Sequence, residues 1–132
     1  MKKIFLLLLV LSCFLVVSCD ELFNRRTIRY EVKCSSPSGR ADIEYKDAYG
    51  NTEFVTNYLF SSPFVVEFDV SIASGDYYEA YVMVQNLADS GVLTITIYAD
   101  DEVVGYKAGI GYSTPVSASD SVPHKDSRKK SI

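Results

Sequence analysis

The sequence predicts an all-β chain folded as an immunoglobulin-like β-sandwich of seven or eight antiparallel strands. Three observations carry that expectation. Apolar and polar residues alternate with period two in short runs spaced about ten residues apart, clusters of Gly, Pro, Asn, Asp and Ser punctuate those runs, and no stretch shows an apolar stripe of helical period. Residue usage agrees. Ten Tyr, seven Phe and abundant Val, Thr and Ile, with no Trp, suit a pleated, half-buried surface better than a helix. A closed eight-stranded barrel is the runner-up. The sandwich is preferred because the runs are short and their inward residues are large enough to fill a core without leaving a lumen.

The elements follow in order. Thr27 to Cys34 puts Ile28, Tyr30, Val32 and Cys34 on one face and Arg29, Glu31 and Lys33 on the other, which marks a half-buried strand. Ser35-Ser36-Pro37-Ser38-Gly39 turns the chain into a second strand, where Ala41, Ile43 and Tyr45 alternate with Asp42, Glu44 and Lys46. The reversal Asp47-Ala48-Tyr49-Gly50-Asn51 leads into Thr52 to Leu59, with Gly50 and Asn51 of the types that tolerate positive φ. Pro63, which has no N–H to give a ladder, separates that strand from the clearest one, in which Phe64, Val66, Phe68, Val70 and Ile72 share a face.

After Ala73-Ser74-Gly75-Asp76, the run Tyr77 to Asn86 is apolar on both faces and reads as a central strand. Ala88-Asp89-Ser90-Gly91 turns into Val92 to Ala99, stiffened by β-branched Val92, Thr94, Ile95, Thr96 and Ile97. Asp100-Asp101 makes a tight hairpin into Glu102 to Ala108, and Tyr112 to Val116 is expected to continue that edge after Gly109-Ile110-Gly111. From Ser117 to Ile132, Ser, Pro and charge replace the alternation. The expectation there is a disordered tail, with His124 lying in it.

The first residues carry an address. Lys2 and Lys3 precede an apolar run, Ile4 to Val17, and Val16-Val17-Ser18-Cys19 resembles a lipobox. The run is shorter than the roughly 20 apolar residues of a membrane span, and it lacks the A-x-A-like end of a simple secretory signal. Residues 1–18 therefore read as a bacterial lipoprotein signal and Cys19 as the lipidated residue, its thiol taking a diacylglyceryl group with palmitate-type chains. Each buried acyl CH₂ adds about 0.8 kcal/mol, and two or more chains hold firmly. Asp20 to Arg26 is then a polar tether, with Arg25 and Arg26 expected to be solvated, residues 27–116 form the sandwich, and the domain sits against a membrane facing the periplasm or the cell exterior.

Charge and cysteine count exclude several functions. Between Thr27 and Val116 five Lys or Arg stand against thirteen Asp or Glu, a balance of −8, which repels phosphate backbones and speaks against nucleic-acid binding. With Cys13 in the signal and Cys19 acylated, Cys34 has no disulfide partner; it alternates in phase with core residues and reads as a small hydrophobe. One histidine makes neither a triad nor a zinc site, and neither a phosphate-cradling loop nor a G-x-S-x-G elbow occurs. The acidic cluster Asp100-Asp101-Glu102 reads as a solvated hairpin turn rather than a Ca²⁺ site. The expectation is a non-enzymatic protein with no catalytic residues, no cofactor and no metal.

Tyrosine is the residue in excess, and one group of it suggests a contact surface. Tyr77, Tyr81 and Met83 share a face of the fifth strand opposite Tyr78, Ala80, Val82 and Val84. If the second set fills the core, the first presents aromatic surface to a partner; if the strand is covered on both sides, the first set is core as well.

Two stretches resemble a known family. Arg29-Tyr30-Glu31-Val32, then Ala41-Asp42-Ile43-Glu44-Tyr45 with Asp47-Ala48-Tyr49-Gly50-Asn51-Thr52, is similar to the start of the MmpS-like small membrane proteins, and the run from Gly91 to Val104 resembles their closing hairpin. The resemblance implies an immunoglobulin-like sandwich beside the membrane and, from the best-known branch, an accessory role to RND-type exporters of lipids and siderophores. That branch uses a transmembrane helix where this chain has a lipobox, and a cysteine pair near the positions of Ile95 and Val116, which are not cysteines here. The functional expectation is a membrane-anchored binding module of the cell envelope with a protein partner; the alternative is a lipoprotein that binds a small molecule or carbohydrate.

Overall fold

A computed structural model describes residues 24–111 and 114–125. They form eight strands, β1 (Arg25–Cys34), β2 (Arg40–Lys46), β3 (Thr52–Leu59), β4 (Phe64–Ser71), β5 (Tyr77–Gln85), β6 (Val92–Ala99), β7 (Glu102–Ile110) and β8 (Val116–Pro123). All pairings are antiparallel, in two separate four-stranded sheets ordered β4-β1-β6-β7 and β3-β2-β5-β8. The expected sandwich is what forms. Only β2–β3 and β6–β7 are hairpins; every other connection crosses from one sheet to the other.

Alternation explains why two sheets close on each other. Ile28, Tyr30 and Val32 of β1 and Leu93, Ile95, Ile97 and Ala99 of β6 point inward, and Ile43, Ala80, Val82, Val84 and Val122 meet them from the other sheet. All are buried. Fully burying a Val, Ile or Leu side chain is worth about 1.5 to 3 kcal/mol, so these stripes dominate the stability. The interior is packed with side chains, as the size of the inward residues requires.

Turn chemistry fits the turns. Asp100 and Asp101 sit at φ 50° and 64°, the left-handed pair that matches the twist of a two-residue hairpin. In the β2–β3 turn Gly50 takes φ 78°, and the Asp47 carboxylate accepts from the N–H groups of Tyr49 and Asn51, each at 2.9 Å.

One cross-sheet contact shapes the molecule. The β2–β5 ladder runs in register from Asp42↔Gln85 to Tyr45↔Val82, so Lys46 and Tyr81 are next to pair. Instead the Tyr30 hydroxyl, reaching across from β1, donates to Lys46 O over 2.9 Å and accepts from Tyr81 N at 3.4 Å. Tyr78 adds a second hydroxyl, 3.1 Å from that of Tyr30, and donates to Asp47 O over 2.6 Å. Burial raises the pKa of both phenols, keeping them protonated donors. Tyr45 and Phe68 pack edge-on to Tyr30, with centroids 5.9 and 5.5 Å away.

Three expectations need correction. Residues 117–123 are not tail but strand β8, bonded to β5 from Tyr77↔Pro123 to Val84↔Val116; Val116, Ala118 and Val122 are core. The stretch ending at Val116 does not prolong the β7 edge, since Val116 begins β8 in the other sheet. Arg25 and Arg26 belong to β1 rather than to a solvated tether, and Arg26 is 2% exposed. Residues 1–23, with the signal and Cys19, and residues 126–132 of the expected tail lie outside the described residues.

Replacing Tyr30 with Phe should cost about 1 to 3 kcal/mol, because Tyr81 N–H loses its partner inside the protein. Urea denaturation measures the cost and amide exchange at Tyr81 locates it. Unchanged stability with unchanged exchange at Tyr81 would mean the hydroxyl is not holding the fork.

Candidate interaction surface

With Ala80, Val82 and Val84 in the core, period two forces Tyr77, Tyr81 and Met83 onto the outer face of β5. Tyr77 is 63% exposed, while Tyr81 and Met83 are half-buried by their neighbours. The strand is central, between β2 and β8, so the platform beneath these side chains is held on both edges. Glu44 pairs with Met83 on one side and with Phe54 of β3 on the other, and Phe54 is 69% exposed. On the β8 side Ser117 faces Met83 and Ser119 faces Tyr81. These short side chains leave the flank of the aromatic row uncovered. Burial, then the Glu44 carboxylate, raises the pKa of the Tyr81 phenol, so it stays a neutral hydroxyl with a proton to donate.

Phe54 was not singled out from the sequence. The signal was there: it alternates with Val55 in a strand whose partner residue, Glu44, points outward. Cys34, by contrast, is where its phase put it, partly buried against the core, with Sγ close against Gly39 and Gly91.

A second concave feature lies along the open side of the sandwich. One cavity of about 310 Å³ is lined by Tyr45, Asp47, Tyr49, Glu53, Glu67 and Phe68 among others. A second of about 420 Å³ is lined by Arg25, Ala48, Tyr49, Asp69 and Ser71. Ala48 and Tyr49 wall both, so the two form one slot between β4 and the tip of the β2–β3 hairpin. Tyr49 stands over it, 89% exposed.

The end of the molecule where the described chain begins is tied by polar contacts. Arg26 donates through Nε to Asp100 Oδ2 and through a terminal nitrogen to Pro123 O, both over 2.9 Å. His124, expected in a solvated tail, is 3% exposed and donates through Nε2 to Asn24 Oδ1 over 2.6 Å. Burial pushes the Asp100 carboxyl up, but the Thr27 N–H and Arg26 outweigh it and hold the pKa below its ordinary value. Asp101 faces Arg29 at 2.9 Å, so two of the three clustered acids serve guanidinium groups. Among the described residues no group of three or more His, Cys, Asp or Glu converges as a metal would require.

Fold and surface thus define a packed two-layer β-sandwich with an aromatic outer face and an open lateral slot. No known family model matches this sequence, and no curated protein matches it either.

The Arg26–Asp100 pair gives an asymmetric expectation. Asp100→Ala leaves a guanidinium buried beside only a carbonyl and should cost about 3 kcal/mol or more, whereas Arg26→Met leaves a carboxylate that is partly in water and costs less. A depressed carboxyl pKa contributes stability that is present above the unfolded value near 3.9 and lost as pH falls through the folded value. Urea midpoints between pH 6 and pH 2.5 should therefore fall less steeply for Asp100→Ala than for the unsubstituted chain. Equal costs for the two variants, or parallel pH curves, would contradict the pairing.

Proposed function

We propose that this protein is a lipid-anchored, non-enzymatic binding module of the bacterial cell envelope, holding a β-sandwich beside a membrane for a protein partner. The address rests on the lipobox-like Val16-Val17-Ser18-Cys19. The observation that carries the binding role is the outer face of β5, where Tyr77, Tyr81 and Met83 stand on a central strand, with exposed Phe54 on the same sheet two strands away on β3. Aromatic residues and Met are enriched in interface cores, and a side chain on a strand fixed at both edges loses little freedom on docking. With Arg26 locked into the fold, only residues 20–24 would separate the domain from an acylated Cys19, a reach of at most about 18 Å. The anchor would set the place and the short link the height. The resemblance to the MmpS-like proteins makes an RND-type exporter the first partner to try.

A second reading, a lipoprotein that binds a small molecule or carbohydrate, rests on the slot, where Tyr45, Tyr49 and Phe68 lie beside Asp47, Glu53 and Glu67. Sugars stack on such rings and bond to such carboxylates.

Two variants test the leading reading separately. Cys19→Ala should move the protein from the membrane to the soluble fraction and remove the mass of the acyl chains. Tyr81→Glu in the anchored protein should abolish co-purification of the envelope partner while changing stability by less than about 1 kcal/mol. A Cys19→Ala protein that still partitions with membranes sinks the anchor, and a Tyr81→Glu protein that keeps its partner but loses stability makes that face structural.

A further inference from the structure

The four edge strands differ in whether they can accept another strand. β7 and β8 pack close to each other at one side of the sandwich, so close that a Cβ at Gly109 would lie 3.0 Å from Val116 Cγ2. β3 is interrupted by Asn57 at φ 56°, whose N–H is taken by Asp42 Oδ1 at 2.8 Å, and its pairing shifts register between Ala41 and Ile43. β4 is different. It pairs with β1 through eight successive positions, Arg25↔Ser71 to Val32↔Phe64, with no register shift, and contains neither Gly nor Pro. Its other edge has no strand partner among the described residues. In an antiparallel pair, alternate residues direct their N–H and C=O away from the partner, so β4 offers a regular ladder of unpaired groups.

That ladder borders the slot. Val66, Glu67, Phe68, Asp69 and Ser71 of β4 form one wall, and the hairpin residues Tyr45, Asp47, Ala48 and Tyr49 with Glu53 form the other. Six strand residues span about 20 Å, enough for a short extended peptide. Charge selects which peptide. Asp47, Glu53, Glu67 and Asp69 line the slot against Arg25, with the Arg29 guanidinium 3.8 Å from Glu67, so acid remains in excess. The Tyr49 and Tyr45 rings beside those carboxylates suit an ammonium or guanidinium group.

We propose that the free edge of β4 takes an extended, lysine- or arginine-bearing peptide segment as an added strand, with its basic side chains set between Glu67 and Asp69 on one side and Asp47 and Glu53 on the other. Backbone hydrogen bonds along β4 supply affinity and the carboxylates supply selection, the division of labour seen when a peptide extends a sheet. The site stands on β4 and the hairpin alone and does not depend on the anchor or on the outer face of β5.

Binding is measured by fluorescence anisotropy on the full-length chain in a nonionic detergent. The probe is a labelled Lys-Val-Lys-Val-Lys-Val peptide, compared with its Glu counterpart, with a version N-methylated on alternate amides, and with spermine as competitor. The expected result is saturable binding of the lysine peptide, at least tenfold weaker binding of the glutamate and N-methylated peptides, slowed amide exchange within Val66–Ser71, and at least a tenfold loss in the double variant Glu53→Lys with Glu67→Lys. Overturning results are an N-methylated peptide that binds as well as the parent, since the backbone ladder is then unused, or displacement by spermine at the peptide's own concentration, since the slot is then a simple cation patch. A double variant that binds normally, or self-association of the chain through β4 that excludes the peptide, also overturns it.

Discussion

The hydroxyl of Tyr30 is the contact on which the shape of the molecule depends. A side chain from one sheet takes up the carbonyl of Lys46 and the N–H of Tyr81, the two groups the other sheet needs to extend its β2–β5 ladder. The ladder therefore stops at Tyr45↔Val82. Beyond it β2 is free to lead its hairpin away from β5 and toward β4. Tyr78 secures the diverted chain at Asp47 O, and the aromatic cluster of Tyr45, Phe64, Phe68 and Tyr78 fills the wedge behind it. The slot beside Tyr49 is a consequence of that divergence: a core residue sets a surface feature.

The same logic ties the interior to the outer faces. Because a strand alternates, packing Ala80, Val82 and Val84 inward commits Tyr77, Tyr81 and Met83 to the outside. A one-residue slip of β5 would bury Tyr81 and expose Val82, and the buried apolar stripes on both sheets oppose it. The polar base acts on the ends of the strands. Arg26 joins the start of β1 to the β6–β7 turn through Asp100 and to the end of β8 through Pro123 O, so the first and last described strands are held at the same end. The chain's acidic balance falls on the outer faces and the slot, where carboxylates such as Glu44, Glu53 and Glu67 meet solvent.

Much of this was legible in the sequence, for identifiable reasons. The strands from Thr52 to Leu59 and from Val92 to Ala99 are legible to the residue, and so is the tight Asp100-Asp101 hairpin between β6 and β7, whose positive φ angles only the structure shows. β8 was missed because its outward positions are serines and its inward ones include small Ala118 and Asp120, so Val116-Ser117-Ala118-Ser119-Asp120-Ser121-Val122 has little hydrophobic contrast. The period of two is nonetheless there, continuing to buried His124. Arg26 was misplaced for a related reason: it is in phase with Ile28 and Tyr30, but a charge in a core phase reads as a boundary until its partner, Asp100, is seen 74 residues away. The fork at Tyr30 was not legible at all, since nothing local distinguishes a core tyrosine from one whose hydroxyl replaces a ladder bond in the facing sheet. The aromatic face was half legible: its members followed from alternation, but which face was outward waited on the sheet order.

The proposed binding role, with the interior filled by side chains, assigns contact to the outside of the sheets, and site-specific photo-cross-linking in intact cells tests that directly. With a photoreactive amino acid placed in turn along the outward positions of both sheets, discrete adducts to an envelope protein are expected from Tyr77, Tyr81 and Phe54, and none from Thr94 or Thr96 on the opposite face. Adducts spread evenly over both faces, or absent from the β5 face while a small molecule co-purifies with the protein, would contradict the account.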